Sequence, residues 1–300
     1  MQIALKVDVD TLRGTQEGVP ALIDALHAVQ AEATFLFSLG PDHTGRAIRR
    51  ALRPGFFAKT ARTSVLEHYG LKTLLYGTLL PGPDIGRRAA VPMRRARDAG
   101  FEVGVHCFDH TTWQDYVARR DEPWTRRQMQ LAFDRFREVF DSTPLVHGAA
   151  GWQMNEAALT LEEELGFLYA SDTRGSGPFV PLLSGRRSRC PQLPTTLPTL
   201  DELIGVAGVT ADTVHENLLA RTRELDTPQV FTLHAELEGM KLMPVLQRLL
   251  QGWLAQGHEL VSMHQLLTTL EIDELPGQPV EAGSVPGRTG TLAVQGSPQF

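Results

Sequence analysis

Hydrophobic and polar positions change period repeatedly along the chain, and each change predicts an element. IALKVDV (3–9) is apolar, rich in β-branched residues and ends in carboxylates, which predicts a strand. VPALIDALHAVQA (19–31) places apolar residues at helical spacing, and ATFLFSL (33–39) predicts a second strand. IGRRAAVPMRRARDAG (85–100) predicts a helix with a glycine stop in spite of Pro92, followed by the strand FEVGVH (101–106). Helices are expected near 125–140, 154–165, 211–224, 241–256 and 263–270. Strands are expected near 145–148, 167–171, 229–234 and 259–263.

This alternation argues for a parallel sheet or a (β/α) barrel, an α/β fold in one domain over residues 1–275. Asp8, Asp10, His106, Asp172 and His234 all fall at the C-terminal ends of strands, where such barrels build their sites. Two stretches break the rhythm. Residues 41–84 form a long basic and apolar insertion, and 173–205 read as a loop rich in Pro, Gly and Ser. From Pro276 to residue 300 the composition predicts an extended or poorly ordered tail.

Composition adds exclusions. A net charge of −6 offers no footprint for nucleic acid. Two cysteines, Cys107 and Cys190, make no disulfide framework and favour a reducing, cytosolic compartment. MQIALKVDVD is not a secretory signal, and no apolar run has the length of a membrane span.

The candidate chemistry lies at the strand ends. Asp8 and Asp10 are two apart in a strand and share a face, so their charges need a cation or a shared proton between them. His106 and His110 can meet one cation if the chain turns into a helix between them. With Asp10 they form a two-nitrogen, one-oxygen set suited to a divalent Zn, Mn or Co ion, with positions left for water and substrate. His234 has the ordinary pKa of a proton donor for a leaving amine, with Asp172, or instead Glu236, to orient it.

The motifs VDVD, HCFDH, AAGW, YASDTRG and TLHAE occur in the order found in the NodB-type polysaccharide deacetylases (carbohydrate esterase family 4). KVDVDTLRGTQEGVP, FSLGPDHTGRAIRR, TLPTLDELIG and TLHAELEGM resemble more closely the deformylase branch that acts on a formamido-arabinose linked to undecaprenyl phosphate, essentially end to end. The resemblance implies a distorted (β/α) barrel. It also implies Asp8 as general base, Asp10, His106 and His110 as ligands of one divalent metal, and His234 as general acid. The implied product serves lipid A modification and resistance to polymyxin. The chain departs from the branch at Gly151-Trp152-Gln153, where an arginine is usual in place of Gln153, and at Thr111-Thr112 in DHTTW. Substrate contacts are expected from Arg13, Trp152, Arg174, Glu236, Arg46 and Arg50.

From Arg46 to Arg62 the insertion carries Arg46, Arg49, Arg50, Arg53, Lys59 and Arg62 without an acidic residue, with Leu52, Phe56 and Phe57 interleaved. That pattern suits peripheral contact with the cytoplasmic face of an anionic inner membrane, where a lipid-linked sugar phosphate would lie. Two rivals are an N-deacetylase of another sugar and a catalytically silent lipid-binding module.

Overall fold

The computed structural model describes residues 1–47 and 72–297. β1 (Gln2–Val9) pairs in parallel with β2 (Thr34–Ser38) through its C-terminal half. β3 (Glu102–Cys107), β4 (Val146–His147) and β5 (Tyr169–Ala170) continue the sheet beyond β2. On the other side of β1 lies β8 (Gln229–His234), while β9 (Glu259–Val261) takes the N-terminal half of β1. β6 (Val180–Leu183) and β7 (Arg186–Arg187) form a small outlying ribbon.

The parallel strands need crossovers, and the expected helices supply them, joined by two further short helices at His110–Tyr116 and Leu200–Leu203. α1 (Val19–Ala28), α2 (Ala90–Asp98) and α3 (His110–Tyr116) come first, then α4 (Glu122–Phe140), α5 (Glu156–Leu165) and the short α6 (Leu200–Leu203). α7 (Val214–Thr222), α8 (Met243–Ala255) and α9 (Met263–Thr268) complete the set. Pro92 is harmless because it lies in the first turn of α2, where its missing N–H would have had no helical partner.

Strand alternation sorts β1 into two faces. Ile3, Leu5, Val7 and Val9 pack into the large core under the helices. On the opposite face Ala4 joins Leu36, Val146, Tyr169, Leu193, Val230 and Val261 in a second cluster that fills the bottom of the curled sheet, with Met263 and Leu266 of α9. Above Ala4 on that same face come Lys6, Asp8 and then Asp10. The barrel interior is therefore apolar below and charged above.

The loop expectation for 173–205 is corrected in part. Between β5 and β8, Leu193 N donates to Ala170 O (2.8 Å), Thr195 N to Thr173 O (3.0 Å) and Thr196 N to Val230 O (3.1 Å). This strand-like run bridges the gap in the sheet. The tail from Pro276 also does not trail. It forms β10 (Gly277–Gln278) and a hairpin of β11 (Val280–Gly283) with β12 (Leu292–Gln295), and Leu292 and Ala293 are buried. Of the basic insertion, only residues 41–47 and 72–84 lie within the described residues; Arg49, Arg50, Arg53, Lys59 and Arg62 lie outside them.

Candidate functional site

Asp8 and His234 stand opposite each other in the register of β1 and β8, so neighbouring strands deliver them side by side to the barrel mouth. Asp8 is 3% exposed and its Oδ2 lies 3.4 Å from Nζ of the fully buried Lys6. Lys6 also donates to Ser171 O (2.9 Å) and lies 5.3 Å from the Trp152 ring. A cation built into the floor thus compensates one of the two strand-end carboxylates.

The other carboxylate faces the histidines. His106 Nε2 is 3.3 Å and His110 Nε2 3.4 Å from Asp10 Oδ1, and the three donor atoms lie within 4.8 Å of one another. His106 Nδ1 donates to Gly148 O at 2.6 Å, which leaves the Nε2 lone pair facing Asp10. His110 is the first residue of α3 because Asp109 caps that helix, accepting from Thr112 N and Thr112 Oγ1. His43 Nδ1 holds Asp109 from the other side at 2.7 Å. Burial opposes the Asp10 charge, but His110, His106 and His234 outweigh it and hold the carboxyl below its ordinary range.

Asp10 Oδ1 is buried and has no hydrogen-bond partner among the described residues. An orphan carboxylate oxygen between two imidazole nitrogens, one with its tautomer fixed from behind, fits a divalent cation in chemistry and in number of ligands.

His234 is half-buried, and its Nδ1 is shielded from solvent with no hydrogen-bond partner among the described residues. Burial lowers its pKa, yet the charges of Asp10, Asp201, Glu238 and Asp8 bring the net shift upward. Its backbone N–H donates to Glu238 Oε2 at 2.7 Å, and its ring meets Trp152 in a T-shaped contact at 6.4 Å. Asp201 and Glu238 were not singled out in the sequence. The spacing of TLPTLDELIG gives no sign that the Asp201 charge acts on His234.

Asp172 is a correction. It does not orient His234: its Oδ1 lies 3.0 Å from His147 Nδ1 and accepts from Ala149 N (2.7 Å), while Gln192 Nε2 donates to Oδ2 (2.6 Å). The residue follows two positions after the end of β5, and the imidazole it meets is in β4.

Glu236 likewise does not face outward to substrate. Its Oε1 accepts from Asp10 N, Thr11 N and Thr11 Oγ1 at 2.8–3.0 Å, pinning the turn that carries Asp10. Burial and then the Asp10 charge push its pKa up to about 8.

Arg174 is spent on structure, paired with Glu202 and donating to Thr195 O and Leu197 O. Trp152 is 2% exposed, fixed by a bond from its Nε1 to Thr195 Oγ1 (3.2 Å). Arg13 pairs with Glu17 at 3.2 Å, and Arg46 Nε donates to Gly77 O. The two departures are accounted for. Gln153 Nε2 donates to Thr291 O (2.7 Å) and Thr111 Oγ1 to His43 O (3.2 Å), so both tie loops together.

No protein-family model matches the chain. A "probable 4-deoxy-4-formamido-L-arabinose-phosphoundecaprenol deformylase" of Shewanella sediminis is 36% identical over 303 residues, 99% of this chain and 95% of that protein. A protein of the same name from Wigglesworthia glossinidia brevipalpis is 30% identical over 283 residues, covering 94% of this chain and 98% of its own length. Among solved structures, a candidate polysaccharide deacetylase of Mycobacterium smegmatis superposes with a TM-score of 0.64 at 17% identity, over 95% of this chain and 94% of that one. The fold is that distorted α/β barrel.

Proposed function

The chain belongs to the family of the 4-deoxy-4-formamido-L-arabinose-phosphoundecaprenol deformylases, and we propose that its own substrate is the formamide they are named for. It is a hydrolase of an amide C–N bond. The observation that carries the reading is the pairing of Asp8 with His234 across β1 and β8, beside the Asp10, His106 and His110 set. Those three would hold one divalent ion, Zn, Mn or Co, whose chemistry is to polarise a carbonyl and to acidify a water.

Asp8 accepts a proton from the attacking water, and Lys6 beneath it keeps the carboxylate in place. His234, which its carboxylate neighbours hold toward the protonated form, gives a proton to the departing sugar nitrogen. Formate and a free 4-amino group result. The new ammonium would lower the negative charge of the lipid A that receives the sugar, which supports a part in polymyxin resistance.

Among the described residues no helix is long and apolar enough to cross a membrane. The basic stretch from Arg46 to Arg62, Arg50 included, supports peripheral contact with the cytoplasmic leaflet, each nearby cation adding about 1 kcal/mol. Co-sedimentation with anionic but not neutral vesicles is the expected result. Absence of binding to both would remove this part of the reading.

The decisive assay is turnover of metal-loaded protein with the formamido-arabinose polyprenyl phosphate. Formate release, lost on chelation and restored by Zn, Mn or Co, is expected. Full activity after metal removal, or faster acetate release from the N-acetyl analogue, would overturn the assignment.

A further inference from the structure

The C-terminal hairpin packs against the segments that carry Trp152 and Arg174. Its strand β12 exchanges backbone bonds with Arg174: Arg174 N donates to Ala293 O (3.0 Å) and Gln295 N to Arg174 O (2.8 Å). Gln153 reaches Thr291 O from the turn that carries Trp152. In the connection between β11 and β12, Gly287 has φ +84°, and a Cβ there would lie 2.4 Å from Glu202 O. Only glycine permits that approach.

The next residue is thereby turned inward. The Arg288 guanidinium lies 4.3 Å from the Trp152 ring centroid, its Nε donates to Glu202 Oε1 (2.5 Å), and its Nη2 is 3.7 Å from Asp201 Oδ2. Trp152 packs against the His234 ring, and the Asp201 charge acts on that imidazole. Arg288 thus touches two of the groups that surround His234, Trp152 through its guanidinium and Asp201 through its charge.

A purely structural clip explains this poorly. Glu202 is already paired with Arg174 and closes a capping box with Thr199, so it does not need a second guanidinium. Arg288 Nη2 is buried without a hydrogen-bond partner among the described residues. An apolar side chain on the indole would hold the tail as well, at less desolvation cost.

We propose that Arg288 is a positioning residue of the active site: delivered by the C-terminal segment, it fixes Trp152 and Asp201 around His234, so that proton delivery is set only when this segment is docked. The inference rests on His234 as the proton donor.

The test uses full-length, metal-loaded protein carrying Arg288→Met, Arg288→Lys or Gly287→Ala. Arg288→Met should lower kcat by about 10- to 100-fold with KM unchanged, since a small displacement of a catalytic group costs that much. Lysine, which keeps the charge, should restore part of the loss. Gly287→Ala, which alters no charge, should reproduce it by pushing the connection off Glu202. The near-ultraviolet circular dichroism of Trp152, assigned with Trp152→Phe, should change in the methionine variant. Wild-type kcat in Arg288→Met would overturn the proposal. So would equal losses in the methionine and lysine variants with raised KM and a lower melting temperature, the signature of a clip. The comparison is made on whichever amide the wild type cleaves, so acetate in place of formate would revise the substrate and leave the Arg288 result interpretable.

Discussion

Replacing Glu162 with Gln should leave the fold about as stable as wild type near pH 4.5 and increasingly more stable than wild type as pH rises through 7 and above. Glu162, His147 and Asp172 are buried together behind the barrel wall. His147 Nδ1 lies 2.8 Å from Glu162 Oε1 and 3.0 Å from Asp172 Oδ1. Burial, then the Asp172 charge, pushes the Glu162 pKa well up. His147 is lowered by burial, but Asp172 and Glu162 lift it to about 10, and Asp172 is pulled below its usual value. The native triad is therefore imidazolium, carboxylate and neutral acid.

Folded Glu162 keeps a proton that the unfolded chain releases above pH 4.5. Stability must then fall as pH rises from there toward the folded pKa, by up to about 1.4 kcal/mol per pH unit. Between pH 7 and 9 that is at most roughly 3 kcal/mol. His147 works in the same direction: its contribution is full below about 6.5 and is lost through about 10. Asp172, the larger of the two influences that raise His147, is present in both proteins, so the difference between them chiefly reports Glu162. Glutamine supplies the donor and acceptor of the neutral acid without its proton equilibrium. Urea unfolding of chelated protein at pH 7, 8 and 9 should show the wild type losing stability faster than the variant. Parallel curves, or a variant several kcal/mol weaker at pH 7, would refute the neutral-acid assignment.

Asp8→Asn should bind metal as the wild type does in calorimetry but lose about 10²- to 10⁴-fold in kcat, the usual share of a general base; retained turnover would remove Asp8 from that role. Lys6→Met should cost about 3–5 kcal/mol in denaturant unfolding, because it leaves the buried Asp8 without the cation 3.4 Å away. Gly14→Ala would set a Cβ 1.9 Å from Glu236 Oε1 and dislodge the acceptor that pins Asp10. Metal affinity should fall about 10- to 100-fold by titration, as for other changes behind a ligand.

The grouping of Asp10 with His106 and His110 was legible because two simple periodicities carry it. Alternation in β1 puts Asp8 and Asp10 on one face, and a capped helix start after β3 brings His110 back toward His106. What supports those residues was not legible. Lys6 reads as an ordinary strand polar residue, and only the burial of the barrel floor shows that its charge must have a partner. Asp172 shows the limit of the strand-end rule: position on the rim is local, but its nearest imidazole depends on how far the sheet curls. Residues 191–198, with Pro191, Pro194 and Pro198, lack strand alternation, yet they bridge β5 to β8 by isolated bonds. The Gly- and Pro-rich tail hides a hairpin that buries only Leu292 and Ala293, too short an apolar signal to stand out.

The bond from Asp10 N to Glu236 spans 226 residues. On a ribosome adding about 5–20 residues per second, Asp10 is made on the order of 10–45 s before the residue that fixes its turn. β1 must wait as long for β8, and longer for β9. His106 and His110 follow far earlier, so a nascent chain holds all three ligands without the frame that aligns them. Metal loading of the proposed site would therefore belong to the released or nearly complete polypeptide, and a chain truncated before Glu236 should emerge with Asp10, His106 and His110 present and metal affinity missing.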